Sequence, residues 1–161
     1  VYDYYTTFHA KKCQKIGREG AGNIIFRGSK TGGSITLSMC LKHGRQGGGY
    51  TDGYPINHLV QTFNQYECDI NMMGHLHLLK SHIKNYYAPN KVGQIKKRYR
   101  YYGIAGGFVE SKRIGTSNYT EGGKARVSDV GFVELHAYRG NREWQVNLIK
   151  HKWMNGRYQI I

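Results

Sequence analysis

The first clear pattern in the chain is an alternation of apolar and polar positions, which is typical of a strand with one buried face. The segment Ser34–Lys42 shows it most clearly, with apolar side chains at Ile35, Leu37, Met39 and Leu41. A glycine-rich turn over residues 28–33 precedes this segment. We therefore predict a hairpin whose first strand covers Asn23–Arg27 and whose second strand covers Ser34–Lys42.

A helical pattern follows the hairpin. Ile56, Leu59, Val60 and Phe63 have the i, i+3, i+4, i+7 spacing of an amphipathic helix, with Pro55 in its first turn. We predict that this helix runs to about Tyr66. The next apolar run, Asp69–Met73, is short enough to be a buried strand. The order strand, loop, helix, strand, loop predicts an α/β arrangement with its chemistry at the carboxyl ends of the strands.

The second half of the chain favours strands, whereas residues 1–22 predict no clear element. Predicted strands cover Ile95–Tyr102, Tyr102–Val109, Val127–Tyr138 and Glu143–Met154, with a turn over 139–141. Asn155-Gly156 is the strongest two-residue hairpin signal, and it returns the chain into Arg157–Ile161. No repeat or low-complexity linker divides the sequence, so we predict a single domain over 1–161.

Three histidines mark the ends of two predicted strands. His43-Gly44 ends the first and is followed by Gly47-Gly48-Gly49, whereas the second ends at Gly74 and presents His75 and His77. Imidazoles at i and i+2 share one face of an extended segment, and imidazole is a common metal ligand. Three histidines alone could hold one tetrahedral zinc with water as the fourth ligand. The alternative is that one or more of them is a solvated loop residue.

Gly74-His75-Leu76-His77, read together with His43, resembles the carboxy-terminal half of the calcineurin-like metallophosphoesterase family. Its phage and prophage type is similar over most of the chain. The other matching segments are Tyr50–Tyr54, Tyr66–Ile70, Gly106–Val109, Ser117–Glu121 and Gly131–Leu135. The resemblance implies an α/β (α+β) fold, a β-sandwich flanked by helices.

The same resemblance implies a dinuclear metal centre that hydrolyses phosphoesters. In that family two divalent ions, here Mn, Zn or Fe, are bridged by an aspartate and a hydroxide. Carried over by position, His43 and His75 would ligate one metal and His77 the other. Arg45, two residues after His43, could contact a substrate phosphate bidentately, and a solvated loop arginine is its alternative.

The sequence also departs from the family pattern. The family begins with Asp-x-His, Gly-Asp and Gly-Asn-His motifs, and none of them precedes His43. Those motifs supply the bridging aspartate, further ligands and the histidine that protonates the leaving group. The chain also starts at Val1 without a methionine. We expect an incomplete carboxy-terminal portion, inactive when isolated, whose amino-terminal half lies in the same gene or on another chain. A degenerate site is the remaining alternative.

Charge adds a second line of evidence. There are 24 basic and 10 acidic residues, a net charge of +14, which favours polyanionic partners. Tyrosines interleave with four basic residues of one predicted strand, namely Lys96, Lys97, Arg98 and Arg100. Such a segment could follow a nucleic-acid backbone while its rings stack on bases. A strand with one solvated face is the alternative.

The family resemblance, together with the positive charge, implies a metal-dependent phosphoesterase that acts on a phosphodiester or nucleic-acid substrate. The first alternative is a non-enzymatic basic module, nucleic-acid-binding or virion-associated, that keeps a vestigial metal loop. The second is a hydrolase with a single zinc held by the three histidines. The presence of the Asp-x-His, Gly-Asp and Gly-Asn-His motifs upstream would separate the enzyme from the first alternative. Two metals per assembled site would argue against the second.

The cysteines indicate whether the protein is in a reducing or an oxidising compartment. Cys13, Cys40 and Cys68 are odd in number and form no CxxC pair, so we expect free thiols, with Cys40 and Cys68 as small core residues. This favours a reducing compartment, the cytoplasm of a bacterial or phage-infected cell. No apolar run approaches the length of a membrane span, so no membrane partner is predicted.

Overall fold

A computed structural model describes residues 5–8, 14–16, 19–27, 33–44, 54–74, 76, 78–106, 129–140 and 143–161 of the chain. They form ten strands and one helix in the order β1 (Tyr5–Phe8), β2 (Gln14–Ile16), β3 (Glu19–Arg27), β4 (Ser34–His43), α1 (Tyr54–Thr62), β5 (Ile70–Gly74), β6 (Lys80–Pro89), β7 (Ile95–Ile104), β8 (Gly131–Gly140), β9 (Glu143–Met154) and β10 (Arg157–Ile160).

The strands form two sheets. The larger is mixed, with strand order β1-β3-β4-β5-β7-β6 and with β2 also paired to β3. Its centre is parallel, because β4 pairs with β5 and β5 with β7 in the same direction. Parallel neighbours need a crossover connection, and α1 lies in the one that joins β4 to β5. The smaller sheet is antiparallel, in the order β10-β9-β8.

Two apolar clusters lie on opposite faces of the larger sheet. One cluster joins the two sheets and contains Phe26, Leu37, Ile70, Tyr101, Ala137 and Val146. The other lies under α1 and contains Cys40, Leu59, Phe63, Met73, Tyr102 and Ile104. Burial on both faces explains why β5 is apolar at almost every position. The predicted α+β class, with two packed sheets and a flanking helix, is confirmed.

Several predicted elements agree closely with the observed ones. The strands over β4, β9 and β10 match, and the turn between the last two has Asn155 at φ 52° and Gly156 at φ 78°, the left-handed values that a tight hairpin needs. The helix ends at Thr62, short of the predicted Tyr66. No helix among the described residues is long and apolar enough to cross a membrane.

The expectation of free thiols at Cys40 and Cys68 is wrong, because the structure joins the two residues in a disulfide. Their Cα atoms are 6.0 Å apart, a usual separation for bonded cysteines. Cys40 lies on β4 and Cys68 just before β5, and parallel pairing of these strands brings together residues 28 apart in sequence. The cysteines therefore no longer support a reducing compartment, and the cytoplasmic location stays a prediction.

Asp129 connects the two sheets. One carboxylate oxygen accepts the backbone N–H of Leu79 at 3.1 Å, next to β6, and the other pairs with the Lys152 ammonium of β9 at 2.7 Å. Partial burial alone would raise the pKa of Asp129, but the hydrogen bonds from Lys152 and Leu79 outweigh it and lower the pKa. The charged carboxylate is therefore the form that stabilises the fold.

The disulfide predicts the number of thiols. Two of the three cysteines form the disulfide, and Cys13 is the third. The oxidised, denatured chain should therefore react with one equivalent of Ellman's reagent. Reduction should raise this to three equivalents and lower the free energy of unfolding by about 3–4 kcal/mol, the loop-closure value for 28 residues. Three reactive thiols before reduction would contradict the pairing.

Asp129 predicts a pH-dependent stability. Asp129→Asn should lower the free energy of unfolding by about 1 kcal/mol at neutral pH, because it removes the charge that Lys152 neutralises. The folded-state pKa is below the unfolded one, so this contribution is complete at neutral pH and disappears as the pH falls through the folded-state pKa. Urea unfolding followed by tryptophan fluorescence should show the two proteins converging as the pH falls below the ordinary range of an aspartate pKa.

The pair can be isolated by a double-mutant cycle. Lys152→Gln should cost a similar amount, and the double variant should cost less than the sum of the two single losses. Strict additivity would show that the ion pair is not the source of the lost stability. So would a difference in the free energy of unfolding between wild type and Asp129→Asn that persists at acidic pH.

Candidate metal centre

The carboxyl ends of β4 and β5 lie side by side. The two strands are parallel, and their register places His43 opposite Gly74. Neighbouring strands are about 4.8 Å apart, so the last residue of one strand directly faces the last residue of the other. His43 and Gly74, 31 residues apart in sequence, therefore meet at one edge of the sheet.

The register is fixed at the other end of this strand pair. Asp69 Oδ2 accepts the backbone N–H of Ser38 at 2.9 Å and its hydroxyl at 2.8 Å, while Asp69 N–H donates to Ser38 Oγ at 2.9 Å. On its other side, the Asp69 carbonyl accepts the N–H of Tyr101 at 2.7 Å. A slip of β4 against β5 by one residue would break the three bonds between Asp69 and Ser38 and turn each side chain to the opposite face.

Gly44 shows how closely the two strand ends approach. A Cβ atom at this position would lie 2.8 Å from the Gly74 carbonyl oxygen and 2.9 Å from the Met73 side chain. By contrast, a Cβ at Gly74 meets no described atom within 4 Å. Glycine at 44 is thus required by the approach of the strands, whereas glycine at 74 is not required by any described neighbour.

His43 is exposed at this edge. Along β4 its side chain shares a face with Met39 and Leu41, the face directed at the smaller sheet. Its Nδ1 is 3.2 Å from the Gly44 carbonyl oxygen. The tautomer that donates Nδ1–H to this carbonyl has its lone pair on Nε2, the nitrogen that would then coordinate a cation.

A cavity of about 810 Å³ extends from this edge between the two sheets. Most of its wall is apolar and comes from Ile24, Met39, Leu41, Ile70, Met72, Val133 and Leu135. His43 and Gly74 border it at the carboxyl ends of β4 and β5. An apolar wall cannot hold a phosphate, so any recognition of an anion must come from the polar groups at this end.

Glu19 is a polar residue at the cavity border that sequence reasoning missed. It pairs with Lys42, its cross-strand partner, and accepts a hydrogen bond from the Tyr66 hydroxyl. The Lys42 ammonium and the Tyr66 hydroxyl hold the pKa of Glu19 below its usual range. This carboxylate therefore links β3, β4 and the segment after α1. Only the β3–β4 register could have revealed it, because Glu19 lies in a stretch without clear periodicity.

The other predicted site residues divide into two groups. Arg45, His75 and His77 lie outside the described residues. Lys96, Lys97, Arg98 and Arg100 lie on β7, towards its beginning and away from the carboxyl edge. Within the described ranges, no group of three His, Cys, Asp or Glu side chains could hold a metal ion. His43 is thus the one predicted ligand whose position the structure describes.

Two further histidines lie on the helix or on the sheet face that it covers. His58 on α1 stacks on Tyr54, with ring centroids 5.8 Å apart, and His82 on β6 packs at a tilt against Tyr102 at 6.2 Å. Both lie on the α1 side of the larger sheet, whereas His43 shares the opposite face with Met39. These positions give them packing contacts on a different face from the candidate centre.

No protein-family profile matches the chain, and no curated protein matches it. Among solved structures, it is similar to the crystal structure of a Vps29 double mutant from Entamoeba histolytica. The identity is 15% and the TM-score 0.43, and the match covers 92% of this chain and 57% of that one. The chain thus spans a little over half the length of that protein. A likeness of this size does not assign a family or an activity.

The approach of the strand ends predicts a difference between two glycines. Gly44→Ala should lower the free energy of unfolding by about 1–3 kcal/mol, because the new methyl group collides with a backbone carbonyl that cannot rotate away. Gly74→Ala, the matched control, should be neutral or stabilising by up to about 1 kcal/mol, because alanine costs less entropy in a strand. Equal effects in guanidinium unfolding would contradict the close approach at Gly44.

Proposed function

We propose that this chain contributes His43, His75 and His77 to a divalent-metal centre that hydrolyses phosphoesters. The observation that supports this most directly is the pairing of His43 with Gly74 across β4 and β5. His75 follows Gly74 in the chain, and consecutive Cα atoms are about 3.8 Å apart. The covalent chain therefore begins its histidine pair one residue beyond the position that faces His43.

The chemistry of the donor set fits a divalent ion. Imidazole nitrogens suit Zn and Fe, and His43 has its Nδ1 beside a backbone carbonyl, the kind of contact that orients a ligating ring. The exposure of His43 at the sheet edge leaves room for a substrate at the same end. Two divalent cations would lower the pKa of a bound water and polarise the phosphoryl oxygens.

The residues of this chain would hold and orient these groups. The bonds between Asp69 and Ser38 set the register that presents His43, and Gly44 permits the strand ends to meet. Arg45 would bind a substrate phosphate oxygen beside the histidines. The remaining ligands and the acid for the leaving group would come from the amino-terminal motifs of the resembled family, on the same or another polypeptide.

A non-enzymatic, basic binding module is the second candidate function. The observation that favours it is the exposed basic surface of β6 and β7, whose charge does not depend on any metal. The two candidates differ in what the histidines do. In the binding module, replacing His43, His75 or His77 changes neither metal uptake nor catalysis.

Metal binding by the 161-residue chain tests the proposal. Equilibrium dialysis against Zn²⁺ and Mn²⁺, with the bound metal measured by atomic emission, should show tight binding by the wild type. Replacing any one of the three histidines should weaken binding by about 100-fold or more, as tested in His43→Ala, His75→Ala and His77→Ala. Each variant removes a metal ligand itself, and not a residue that only hydrogen-bonds to a ligand. His136→Ala, an exposed histidine on the smaller sheet, is the matched control and should bind as the wild type does.

Activity gives the second measurement. When the amino-terminal motifs are supplied, metal-dependent hydrolysis of bis(p-nitrophenyl) phosphate should be lost in His75→Ala and His77→Ala and kept in His136→Ala. Binding of two metals per assembled site would support the dinuclear centre, and one zinc would support the mononuclear alternative. Metal uptake or hydrolysis that is the same in all of these proteins would refute the ligand roles.

A further inference from the structure

The hairpin of β6 and β7, residues 80–104, has an extreme charge composition. It contains seven basic residues, Lys80, Lys84, Lys91, Lys96, Lys97, Arg98 and Arg100, and no aspartate or glutamate. Acidic side chains are absent from the whole stretch between Asp69 and Glu110. We call this hairpin the basic ribbon. Its charge must be balanced by something other than its own side chains.

The register gathers four of these charges on one face. Lys84 lies opposite Arg100, Tyr86 opposite Arg98 and Ala88 opposite Lys96. Direct partners in an antiparallel pair share a face, so Lys84, Lys96, Arg98 and Arg100 point to the same side. Like charges directly opposite each other destabilise a sheet, and the pair Lys84 and Arg100 is of this kind. The arrangement costs stability and is therefore better explained by a partner than by folding.

The charges are accessible and are not neutralised by the rest of the described structure. Lys84, Lys96 and Arg98 are exposed, and Arg100 is half-buried. Each ion pair in the described ranges lies elsewhere, at Lys42, His151 and Lys152. β5 begins opposite Tyr101, so residues 95–100 of β7 extend beyond it and are exposed or, at Arg100, half-buried.

Aromatic rings accompany the charges. The Arg100 guanidinium lies over the Tyr86 ring, 5.0 Å from its centroid, and the Lys97 ammonium lies 5.4 Å from the centroid of Tyr99. On the second face, Tyr87 is 73% exposed and Tyr99 is 44% exposed. Flat rings beside cations suit bases joined by phosphates, because every base has a face that can stack. Lipid headgroups carry charge but have no flat ring that could stack on a tyrosine.

The ribbon has a fixed shape. At its turn the Asn90 side-chain oxygen accepts the N–H groups of both Val92 and Gln94 at 3.0 Å, and Gly93 has φ 79°. Along β7, alternate residues are about 6.8 Å apart, so Lys96, Arg98 and Arg100 form an evenly spaced row. A regular row of cations on a rigid strand suits an extended polyanion better than a single compact anion.

We propose that the basic ribbon binds single-stranded nucleic acid that passes over its edge strand β6, with the cations of the first face on the phosphates and Tyr87 and Tyr99 of the second face stacked on bases. Arg98 is six residues from Ile104, the partner of Met73, and thus about 20 Å from the carboxyl edge where His43 lies. The ribbon is therefore a separate surface, and it does not depend on the proposed metal centre.

Fluorescence anisotropy with a labelled oligothymidylate and the wild-type chain tests the proposal. Lys96→Gln/Arg98→Gln should weaken binding by about 10-fold or more at low salt. The slope of log K against log salt should become shallower by about 1.4, from two lost phosphate contacts on a single strand. The matched control is Arg27→Gln/Arg157→Gln, which removes two exposed charges outside the ribbon and should keep the wild-type slope.

The stacking of bases on tyrosine rings is tested with separate variants. Tyr87→Leu and Tyr99→Leu should each weaken binding by about 5-fold or more with an unchanged salt slope, because they remove a ring and no charge. Ultraviolet crosslinking of the wild-type chain to a thiothymidine oligomer should label Tyr87 or Tyr99, which keeps the test valid if a variant does not fold.

Three results would overturn the proposal. The ribbon and control variants could have the same affinity and slope, which would make the ribbon an ordinary solvated hairpin. Duplex DNA of the same length could bind more tightly than the single strand. Vesicles containing phosphatidylserine could bind the wild-type chain while the oligomer does not, which would assign the charge to a membrane surface.

Discussion

The parallel pairing of β4 with β5 is the constraint on which the rest of the structure depends. The mutual hydrogen bonds of Asp69 and Ser38 set its register, and the disulfide between Cys40 and Cys68 joins the same two segments covalently. Since side chains alternate along a strand, this single register decides which residues enter each apolar cluster. It also decides that His43 ends beside Gly74. Packing and the candidate centre thus share one cause.

The second sheet can cover this pairing because glycines allow it to come close. A Cβ at Gly106 would lie 2.5 Å from the carbonyl oxygen of Asp129 and 2.8 Å from the backbone nitrogen of Gly131. Backbone atoms cannot rotate out of the way, so these positions hold the start of β8 near the end of β7. Asp129, anchored to Leu79 and Lys152, fixes the same junction by charge.

The sequence predicted elements better than it predicted partners. The alternation in β4 and the Asn155-Gly156 turn are local signals, and both were confirmed. The disulfide was missed because cysteines 28 residues apart show no motif. β6 was missed because Lys80–Pro89 has no buried residue and no clear alternation of apolar and polar positions. For the site, the sequence identified the histidines at the strand ends. It could not show that His43 lies opposite Gly74, because this depends on the register between strands that are distant in sequence.

The described acidic and basic side chains have different tasks. Glu19, Asp69 and Asp129 are all engaged in contacts within the protein, so the folded structure uses its acids to join elements. The basic ribbon has no such acids and extends away from the carboxyl edge. A nucleic acid that touched both regions would have to span about 20 Å along β7. Because the two regions are this far apart, affinity and chemistry would depend on different residues, and either could be lost while the other remained.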